Sequence, residues 1–342
     1  MRFKTLLLIL TIIATMGTTS QAQDFHFTQF DMAPQTLNPA LTGNYLGTFR
    51  LGAIYRDQWG SVISNSFRTP SAYIDAPIIQ GFRKSDWVGV GLSFLSDKSG
   101  VYEFQNQVMG GSIAYHLGLG QDNKTVVSLG AQFNTLQRRV DISQFNAADT
   151  WDPATGQFNT GTSTDVSILG IEQNSVMDIG AGLSFKTVVG ENDKVRINAG
   201  VSAFHLNAPQ DALSGAEDVL PIRMVGHAGA DIDLNSKLVL SPKVFYQTIA
   251  GVPETNVVAM IGYKLKDNFM IQYGQGYRVG DATNCILAVQ YDQLRAGVSY
   301  DINISDLNTV SNSQGGFEIA ISYIAKIFNE PKSDPVIICP RF

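Results

Sequence analysis

The last hairpin of the chain, residues 294–323, alternates strictly between apolar and polar side chains. Successive side chains of a β-strand point to opposite faces, so this period of two predicts strands with one apolar and one polar face. The same pattern recurs about fourteen times along the chain, which predicts an all-β antiparallel fold. The apolar positions of the hairpin are Leu294, Ala296, Val298, Tyr300, Ile302, Phe317, Ile319, Ile321 and Tyr323.

The first 22 residues have the features of a secretory signal peptide. Arg2 and Lys4 precede an apolar run at 6–14, and residues 20–22 supply a small-x-small cleavage site before Gln23. The apolar run is too short to span a bilayer as a helix. No Cys follows the cleavage site, which argues against a lipoprotein. We therefore expect an exported chain that begins at Gln23.

Export and alternation together predict a transmembrane barrel of the outer-membrane type, with its apolar face in lipid and its polar face toward the lumen. Only 16% of the residues are charged, while 10% are aromatic and 32 are glycines, which fits such a barrel better than a soluble sandwich. Fourteen strands is an even number, as single-chain bacterial barrels require. The expected division is a signal peptide at 1–22, a periplasmic or lumenal segment at 23–47, the barrel at 48–325 and a C-terminal periplasmic tail at 326–342.

The connections between the predicted strands predict the orientation of the barrel. Tight turns follow the even strands, as at 120–123 and 190–193, whereas usually longer connections follow the odd strands, as at 140–174. Barrels of this class keep short turns in the periplasm and long loops outside. Both termini are therefore expected in the periplasm.

Charge and motif content exclude several classes of function. Residues 1–22 contain two basic residues and no acidic one, so the mature chain has 22 basic and 30 acidic residues and a net charge of −8, which argues against nucleic-acid binding. The four histidines lack metal-ligand spacing, and residues 89–94 and 180–185 lack the third glycine and the helix of a nucleotide fingerprint. His227 is predicted to face the lumen beside Asp231, but no nucleophile joins them. We expect no cofactor, no metal and no enzymatic activity.

The two cysteines are predicted to lie at opposite ends of the barrel. Cys285 opens the twelfth strand near the outer face, whereas Cys339 follows the last strand on the periplasmic side. A barrel wall about 25 Å tall separates these levels, while the Cα atoms of a disulfide lie about 4–7 Å apart. We therefore predict no intramolecular disulfide.

Many glycines fall on the polar, lumen-facing side of the predicted strands. Glycine in a strand marks a bend or the close approach of another backbone. These glycines therefore indicate either barrel curvature or room for a plug, formed by residues 23–47 or by a partner. They are Gly89, Gly91, Gly130, Gly180, Gly182, Gly229, Gly274, Gly276 and Gly297.

The three tryptophans lie near predicted strand ends. Trp59, Trp87 and Trp151, with several tyrosines, fit the aromatic girdles found at membrane interfaces. We interpret them as structural residues in contact with the membrane interface and not as a ligand-stacking site.

Several short motifs follow one another along nearly the whole mature chain. They are Phe27-Thr28-Gln29-Phe30, Asn38-Pro39-Ala40 with Gly43, Tyr55-Arg56-Asp57-Gln58-Trp59, Tyr300-Asp301-Ile302-Asn303, Ser305-Asp306-Leu307, Gly315-Gly316-Phe317-Glu318 and Cys339-Pro340-Arg341-Phe342. Together, and in this order, these motifs resemble those of the PorP/SprF family. The positions that we carry over as candidates for fold and partner contact are Phe27, Gln29, Asn38, Pro39, Tyr55, Arg56, Gln58, Trp59, Asp301, Ser305, Leu307, Glu318, Cys339, Pro340, Arg341 and Phe342.

The resemblance implies an outer-membrane protein of the type IX secretion system of Bacteroidota. Members of that family act in secretion or attach large surface adhesins during gliding. The implied partners are the outer-membrane lipid, the C-terminal domain of a secreted cargo protein and periplasmic ring subunits. The family supplies no catalytic residues to carry over. A transport barrel for a small solute or a hydrophobic compound is the alternative function.

The matched motifs also have plain structural interpretations. Tyr55 and Trp59 fit an aromatic girdle, and Asn38-Pro39-Ala40 fits a turn that leads into the first strand. Phe342 resembles the terminal aromatic residue by which many barrels are recognised for assembly, although residues 325–340 separate it from the last strand. The tail at 330–342 fits docking on the periplasmic rim or on a partner.

Overall fold

The alternating segments close into a barrel of fourteen antiparallel strands, which confirms the predicted fold and strand number. The structure is a computed structural model that describes residues 25–63, 65–80, 85–100, 104–119, 124–140, 151–152, 155, 157–158, 173–210, 219–306 and 308–327. The barrel strands are β1 (Phe49–Gln58), β2 (Phe67–Gln80), β3 (Trp87–Ser99), β4 (Phe104–Leu119), β5 (Thr125–Arg139), β6 (Gln173–Val189), β7 (Val195–Phe204), β8 (Arg223–Asp233), β9 (Leu238–Ile249), β10 (Val252–Lys266), β11 (Phe269–Arg278), β12 (Ala282–Tyr291), β13 (Leu294–Asn303) and β14 (Gln314–Ala325).

Each barrel strand pairs with its neighbours in sequence, and the first strand pairs with the last. The β1–β14 seam runs from Phe49 opposite Ala325 to Gln58 opposite Gly316. Closure leaves no edge with unpaired backbone groups, which a spanning sheet requires because lipid offers no hydrogen-bond partner. A separate two-stranded ribbon joins Trp151–Asp152 to Gln157–Phe158 within the connection between β5 and β6.

Side chains alternate across the barrel wall as the sequence pattern predicts. On β6, Leu183 and Phe185 are exposed on the outside, whereas Ser184 is buried on the lumen side. On β14, Ile319 is exposed and Glu318 is fully buried. The outward face is therefore apolar and the lumen is polar, as the period of two dictates.

The barrel has two different rims. The terminal rim carries the entry to β1 at Thr48, the exit from β14 at Ala325 and short turns such as that at Asp292, whose φ is 50°. The loop rim carries longer connections, including a short helix, Asn308–Ser311. Two connections on the loop rim are nevertheless tight, because Ala250 and Gly251 alone join β9 to β10, and residues 279–281 join β11 to β12.

Residues 25–48 enter the lumen, and we call residues 25–44 the plug. The plug contains three short helical turns, Phe30–Met32, Pro34–Leu37 and Pro39–Leu41. Two of them begin with proline, whose fixed φ and missing N–H suit the first helical position. The third is also capped by Asn38, whose side chain accepts a hydrogen bond from Ala40 N. The plug begins in the loop half of the barrel and leads into β1 at the terminal rim.

The plug packs against the lumen wall through two apolar clusters. In one cluster, Phe30 stacks on Phe245 with ring centroids 5.4 Å apart, and Leu37 packs beside them. In the other, Phe27 and Met32 pack against wall residues that include Ile54 and Leu95. Burial of each such side chain stabilises the plugged state by about 1.5–3 kcal/mol.

Within the described part of the chain, no helix has the length and apolarity needed to cross a membrane.

Candidate functional site

A buried network of charged side chains holds the N-terminal end of the plug, and we call it the latch: Thr28, Arg56, Arg278, Asp301 and Glu318. The Glu318 carboxylate accepts hydrogen bonds from the backbone N–H groups of Thr28 (2.6 Å) and Gln29 (3.0 Å). Glu318 comes from β14, and its side chain has no solvent exposure. A lumen-facing carboxylate thus replaces the backbone partners that an irregular segment lacks.

Two arginines neutralise the latch. Arg56 donates to Glu318 (2.5 Å) and to Asp301 (2.9 Å), and Arg278 also donates to Asp301 (3.0 Å). The Thr28 hydroxyl donates to Asp301 (2.7 Å) and accepts from Arg278 (2.8 Å). Each charge is paired and hydrogen-bonded, which makes its burial tolerable. Removal of one member leaves a buried charge without its partner.

His26 extends the latch toward the loop rim. Its Nδ1 lies 3.4 Å from the Glu254 carboxylate, which also lies 3.4 Å from Nε of Arg278. Burial lowers the pKa of His26 well below its ordinary value of 6.5, and the charges of Arg278 and Arg56 lower that pKa further. The imidazole is therefore neutral when the plug is in place, although a carboxylate lies nearby, because the two arginines already compensate that carboxylate.

Asn38 fixes the middle of the plug to the barrel wall. Its amide donates to the backbone carbonyls of Leu183 (3.0 Å) and Val201 (3.2 Å) on β6 and β7, and it also lies 3.2 Å from Nε2 of His227. The Asn38 side chain is completely buried. One amide therefore connects the plug to three strands.

Glycines on the lumen face make room for the plug at close quarters. A Cβ at Gly130 would overlap the backbone of Pro39 and Ala40, and a Cβ at Gly182 would overlap the Asn38 side chain. The sequence left curvature and plug space as alternatives, and at these positions the structure favours plug space. Gly89, Gly91 and Gly297 also face the plug, whereas Gly180, Gly229, Gly274 and Gly276 face other wall residues.

The terminal end of the plug is held by a second polar cluster. Asp75 on β2 accepts from Gly43 N (2.7 Å) and from Arg50 (2.7 Å), and His116 on β4 lies 2.8 Å from the Thr42 carbonyl. Burial raises the pKa of Tyr45, whose hydroxyl donates to the Asp75 carbonyl. These contacts fix the plug where it turns into β1.

The Asp31 side chain of the plug reaches into the terminal half of the lumen and bridges two basic residues of the wall. Lys243 donates to its Oδ2 at 2.6 Å, and Arg295 donates to the same oxygen at 2.7 Å. Burial opposes ionisation of Asp31, but the charges of Arg295 and Lys243 outweigh it and hold the pKa well below its ordinary value. Asp31 is therefore ionised throughout the physiological pH range.

The structure brings several of the sequence-predicted site residues together in the lumen. Arg56, Asp301 and Glu318 are latch residues, and the Gln29 side chain donates to Ser299 beside them. Phe27 is buried in the apolar cluster beside the latch, and Gln58 accepts a hydrogen bond from Arg56. Asn38 and Pro39 also belong to this group and lie mid-lumen.

Other predicted site residues lie apart from the latch. Tyr55 is exposed on the outer face of β1. Trp59 packs edge-on against Phe67 at the loop rim, where the Ser305 side chain also donates to Asn303. Leu307, Cys339, Pro340, Arg341 and Phe342 lie outside the described residues.

Three sequence-based interpretations need correction. Trp87 is not a girdle residue, because its ring stacks on His116 inside the barrel and its Nε1 donates to Gly43 O. Asn38-Pro39-Ala40 does not lead directly into the first strand, because this motif lies mid-lumen and eight residues separate Ala40 from the first residue of β1 at position 49. His227 faces the lumen as expected, but its partner there is Asn38 and not Asp231, which accepts a hydrogen bond from Ser241.

Sequence reasoning did not identify Thr28, Arg278, Glu254 or Asp31 as site residues. The sequence could have indicated Arg278 and Glu254 by their charge, because a charged side chain at a lumen-facing position is unfavourable unless it has a partner. For the plug residues no periodic signal existed.

Cys285 lies outward on β12 and forms no disulfide within the described residues. Cys339 lies outside the described residues, so the absence of a Cys285–Cys339 disulfide remains a prediction. Nor do the described residues include a group of three His, Cys, Asp or Glu able to hold a metal ion.

Comparisons with known proteins place this architecture in a family. The family model described as "Type IX secretion system membrane protein PorP/SprF" matches residues 19–323. No curated protein matches the sequence significantly.

Solved structures show the likeness of the fold. A deltaS2S3 mutant of the monoaromatic hydrocarbon channel TodX has a TM-score of 0.52 at 12% identity and covers 92% of this chain and 98% of that chain. The Pseudomonas putida toluene transporter TodX has a TM-score of 0.47 at 13% identity, with 87% and 93% covered. A Pseudomonas aeruginosa FadL homologue has a TM-score of 0.45 at 10% identity, with 84% and 92% covered.

Proposed function

Because the chain belongs to the PorP/SprF family of type IX secretion system membrane proteins, we propose that it is a non-enzymatic outer-membrane component of that system. It supports the secretion of cargo or the surface anchoring of cargo such as gliding adhesins. It does so by binding the C-terminal domain of the cargo, periplasmic ring subunits, or both. This role requires a rigid barrel that binds proteins and does not require an open pore.

The single observation that carries this proposal is the occupied lumen. Residues 25–44 of the chain itself lie inside the barrel, and the latch fixes their N-terminal end through Glu318 and two arginines. A solute pore would have to displace a segment whose two ends are hydrogen-bonded to buried residues of the wall. In a protein that serves as an anchor, a fixed plug prevents leakage through the lumen and keeps the shape of both rims constant.

The proposal includes an orientation and a division of the chain. The terminal rim, with its short turns, faces the periplasm, and a signal peptide at 1–22 and a C-terminal tail at 326–342 flank the plug and the barrel. In this proposal the tail meets periplasmic partners. Phe25, the first described residue, packs in the loop half of the lumen under Arg223, so in this orientation the plug begins nearer the outer face than the periplasmic one.

The predicted contact residues divide into two roles under this proposal. Phe27, Gln29, Arg56, Asp301 and Glu318 are buried and position the plug. The proposed partner contacts are Trp59 and Ser305 at the loop rim, together with Leu307 and the tail positions Cys339, Pro340, Arg341 and Phe342.

A transport barrel for a small solute or a hydrophobic compound is the second candidate. The observation that favours it is a cavity of about 450 Å³ between the plug and strands β6–β13. The likeness to a hydrocarbon channel concerns the fold alone, because only 12% of the residues are identical. The plug lies between this cavity and the loop rim, so transport requires plug movement.

Two measurements on the same preparation separate the candidates. The tagged protein is purified from gently solubilised outer membranes, co-purifying proteins are identified by mass spectrometry, and the barrel is then reconstituted in a planar bilayer. We expect a large secreted protein or periplasmic ring subunits to co-purify, and we expect no ion conductance. A barrel that purifies alone and conducts ions would overturn the anchor role and support transport.

A further inference from the structure

A cavity of about 450 Å³ lies in the terminal half of the lumen, and we call it the vestibule. The plug forms one side of it through Phe30, Asp31, Leu37 and Leu41. The other side is the inner wall from β6 to β13, joined by Arg50 of β1, close to the strand ends at the terminal rim. The Asp31 side chain is 28% exposed although it lies within the barrel, so solvent reaches the vestibule.

Basic side chains dominate the lining of the vestibule. Six of them line it, against two acidic side chains, Asp31 and Asp231. Asp75 and Asp233 pair with lining residues from just outside, so six positive charges face four negative ones and leave a net charge of +2. The six basic residues are Arg50, Lys186, Arg196, Lys243, Lys264 and Arg295.

Five of the six basic side chains have acidic partners. Asp31 bridges Lys243 and Arg295, and Asp233 bridges Arg196 (2.8 Å) and Lys264 (3.2 Å). Arg50 pairs with Asp75. These ion pairs fix the wall of the vestibule in shape and leave little capacity to bind a further anion.

Lys186 differs from the other five. It lies on the lumen face of β6 and is exposed to the vestibule. Within the described residues it forms no ion pair and no hydrogen bond. Asp231, a described residue of the same cavity, forms no ion pair with this lysine and instead accepts a hydrogen bond from Ser241. An ammonium group that no carboxylate pairs with, in a cavity of net positive charge, attracts a carboxylate.

The rest of the lining indicates what accompanies that carboxylate. Gln272, Gln290 and Asn198 supply amide groups that both donate and accept hydrogen bonds, as a peptide backbone requires. Phe30 and Met270 supply apolar surface beside them. An extended acidic peptide with apolar neighbours matches all three kinds of surface.

A phosphate ligand fits the lining less well. Phosphoryl groups are typically bound by the planar fork of an arginine. The three arginines of the vestibule, Arg50, Arg196 and Arg295, already donate to Asp75, Asp233 and Asp31. The unpartnered cation is a lysine, whose compact charge matches a single carboxylate.

We propose that the vestibule binds a carboxylate-bearing peptide segment of a partner protein, with Lys186 as the anchoring cation. The inference rests on the proposed function, because that function supplies a protein partner at the terminal rim. It adds the chemistry of the recognised segment, which is acidic with apolar neighbours, and the place where the segment binds.

The test measures peptide binding by isothermal titration calorimetry to the detergent-solubilised full-length protein at low salt. The probe is a synthetic peptide of alternating leucine and glutamate, and the control peptide has glutamine in place of glutamate. Lys186→Gln should weaken binding of the acidic peptide by about tenfold. Lys124→Gln is the matched control, because Lys124 lies at the terminal rim outside the vestibule and pairs with Asp193. It should change the affinity less than about twofold, as expected for an exposed ion pair.

A second variant tests the same site by adding charge. Gln290→Glu places a carboxylate on the exposed lumen face of β12 and should also weaken binding of the acidic peptide. Equal binding of both peptides, equal effects of Lys186→Gln and Lys124→Gln, or stronger binding of inorganic phosphate than of the acidic peptide would each overturn the proposal. Heat-modifiable mobility on gels confirms that each variant is folded.

The failure of this inference can be distinguished from the failure of the proposed function. If Lys186→Gln co-purifies the same partners in the same amounts as the wild type, the secretion role remains and the vestibule is not the contact. If the wild type purifies without partners and conducts ions, the proposed function fails whatever the peptide does.

Discussion

Glu318 is the residue whose replacement tests the latch most directly. In Glu318→Gln, the retained oxygen can still accept from Thr28 N and from Arg56, but the new amide group faces the N–H of Gln29, which loses its acceptor. An unsatisfied buried donor costs about 1–3 kcal/mol. The lost charge also leaves the two latch arginines with less compensation, and breaking a buried ion pair costs about 3–5 kcal/mol. We expect a total loss near the upper value, because the two effects share the same contacts and do not add fully.

The assay is equilibrium unfolding of the barrel in lipid vesicles, with guanidinium as denaturant and tryptophan fluorescence as the signal. Asp193→Asn is the exposed control, because the Lys124–Asp193 pair has side chains 47% and 52% exposed and should contribute less than about 1 kcal/mol. Ser299→Ala is the buried control, because it leaves the charge of the carboxylate unchanged and removes only two 3.3 Å hydrogen bonds, one to Glu318 and one from the Gln29 side chain, which together should cost about 2 kcal/mol. If Glu318→Gln lost no more stability than these two controls, the latch would not hold the plug by buried charge.

Further predictions concern plug packing, pH and the cysteines. Gly130→Val should displace the plug and produce ion conductance in a planar bilayer, whereas Gly226→Val, where an added Cβ meets open space, should leave the barrel closed. Because docking lowers the pKa of His26, plug stability should fall as pH drops below about 6.5, and His26→Gln should remove that dependence from unfolding curves measured between pH 5 and 7. Mass spectrometry of the non-reduced protein should find no Cys285–Cys339 crosslink.

The barrel was predictable because the alternation of apolar and polar residues is visible within each short stretch of sequence. A period of two needs only neighbouring residues, and the alternating stretch at residues 175–188, for example, lies within the observed strand Gln173–Val189. The same alternation places Trp87 on the face of Gly89 and Gly91, which the sequence assigns to the lumen, and this conflicts with a girdle position for Trp87. Strand periodicity is more reliable than a residue type taken alone.

The latch was not predictable, because its contacts join distant parts of the chain. Thr28 and Glu318 are 290 positions apart. The plug also has no repeating sequence pattern from which its course through the lumen could be predicted. Irregular backbone can lie in a barrel lumen only if other groups satisfy its N–H and C=O groups. Polar residues at lumen positions are therefore predictable as a class, but the sequence alone does not indicate which plug atom each one meets.

The latch and the vestibule hold the plug through different contacts. The latch fixes Thr28 and Gln29 through Glu318, whereas Lys243 and Arg295 in the vestibule share Asp31 of the plug. Asn38 separately bonds the plug to the wall. A carboxylate bound at Lys186 competes with none of these contacts, because Lys186 takes no part in them. A peptide can therefore bind in the vestibule while the plug stays in place and the lumen stays closed, as the proposed anchor role requires.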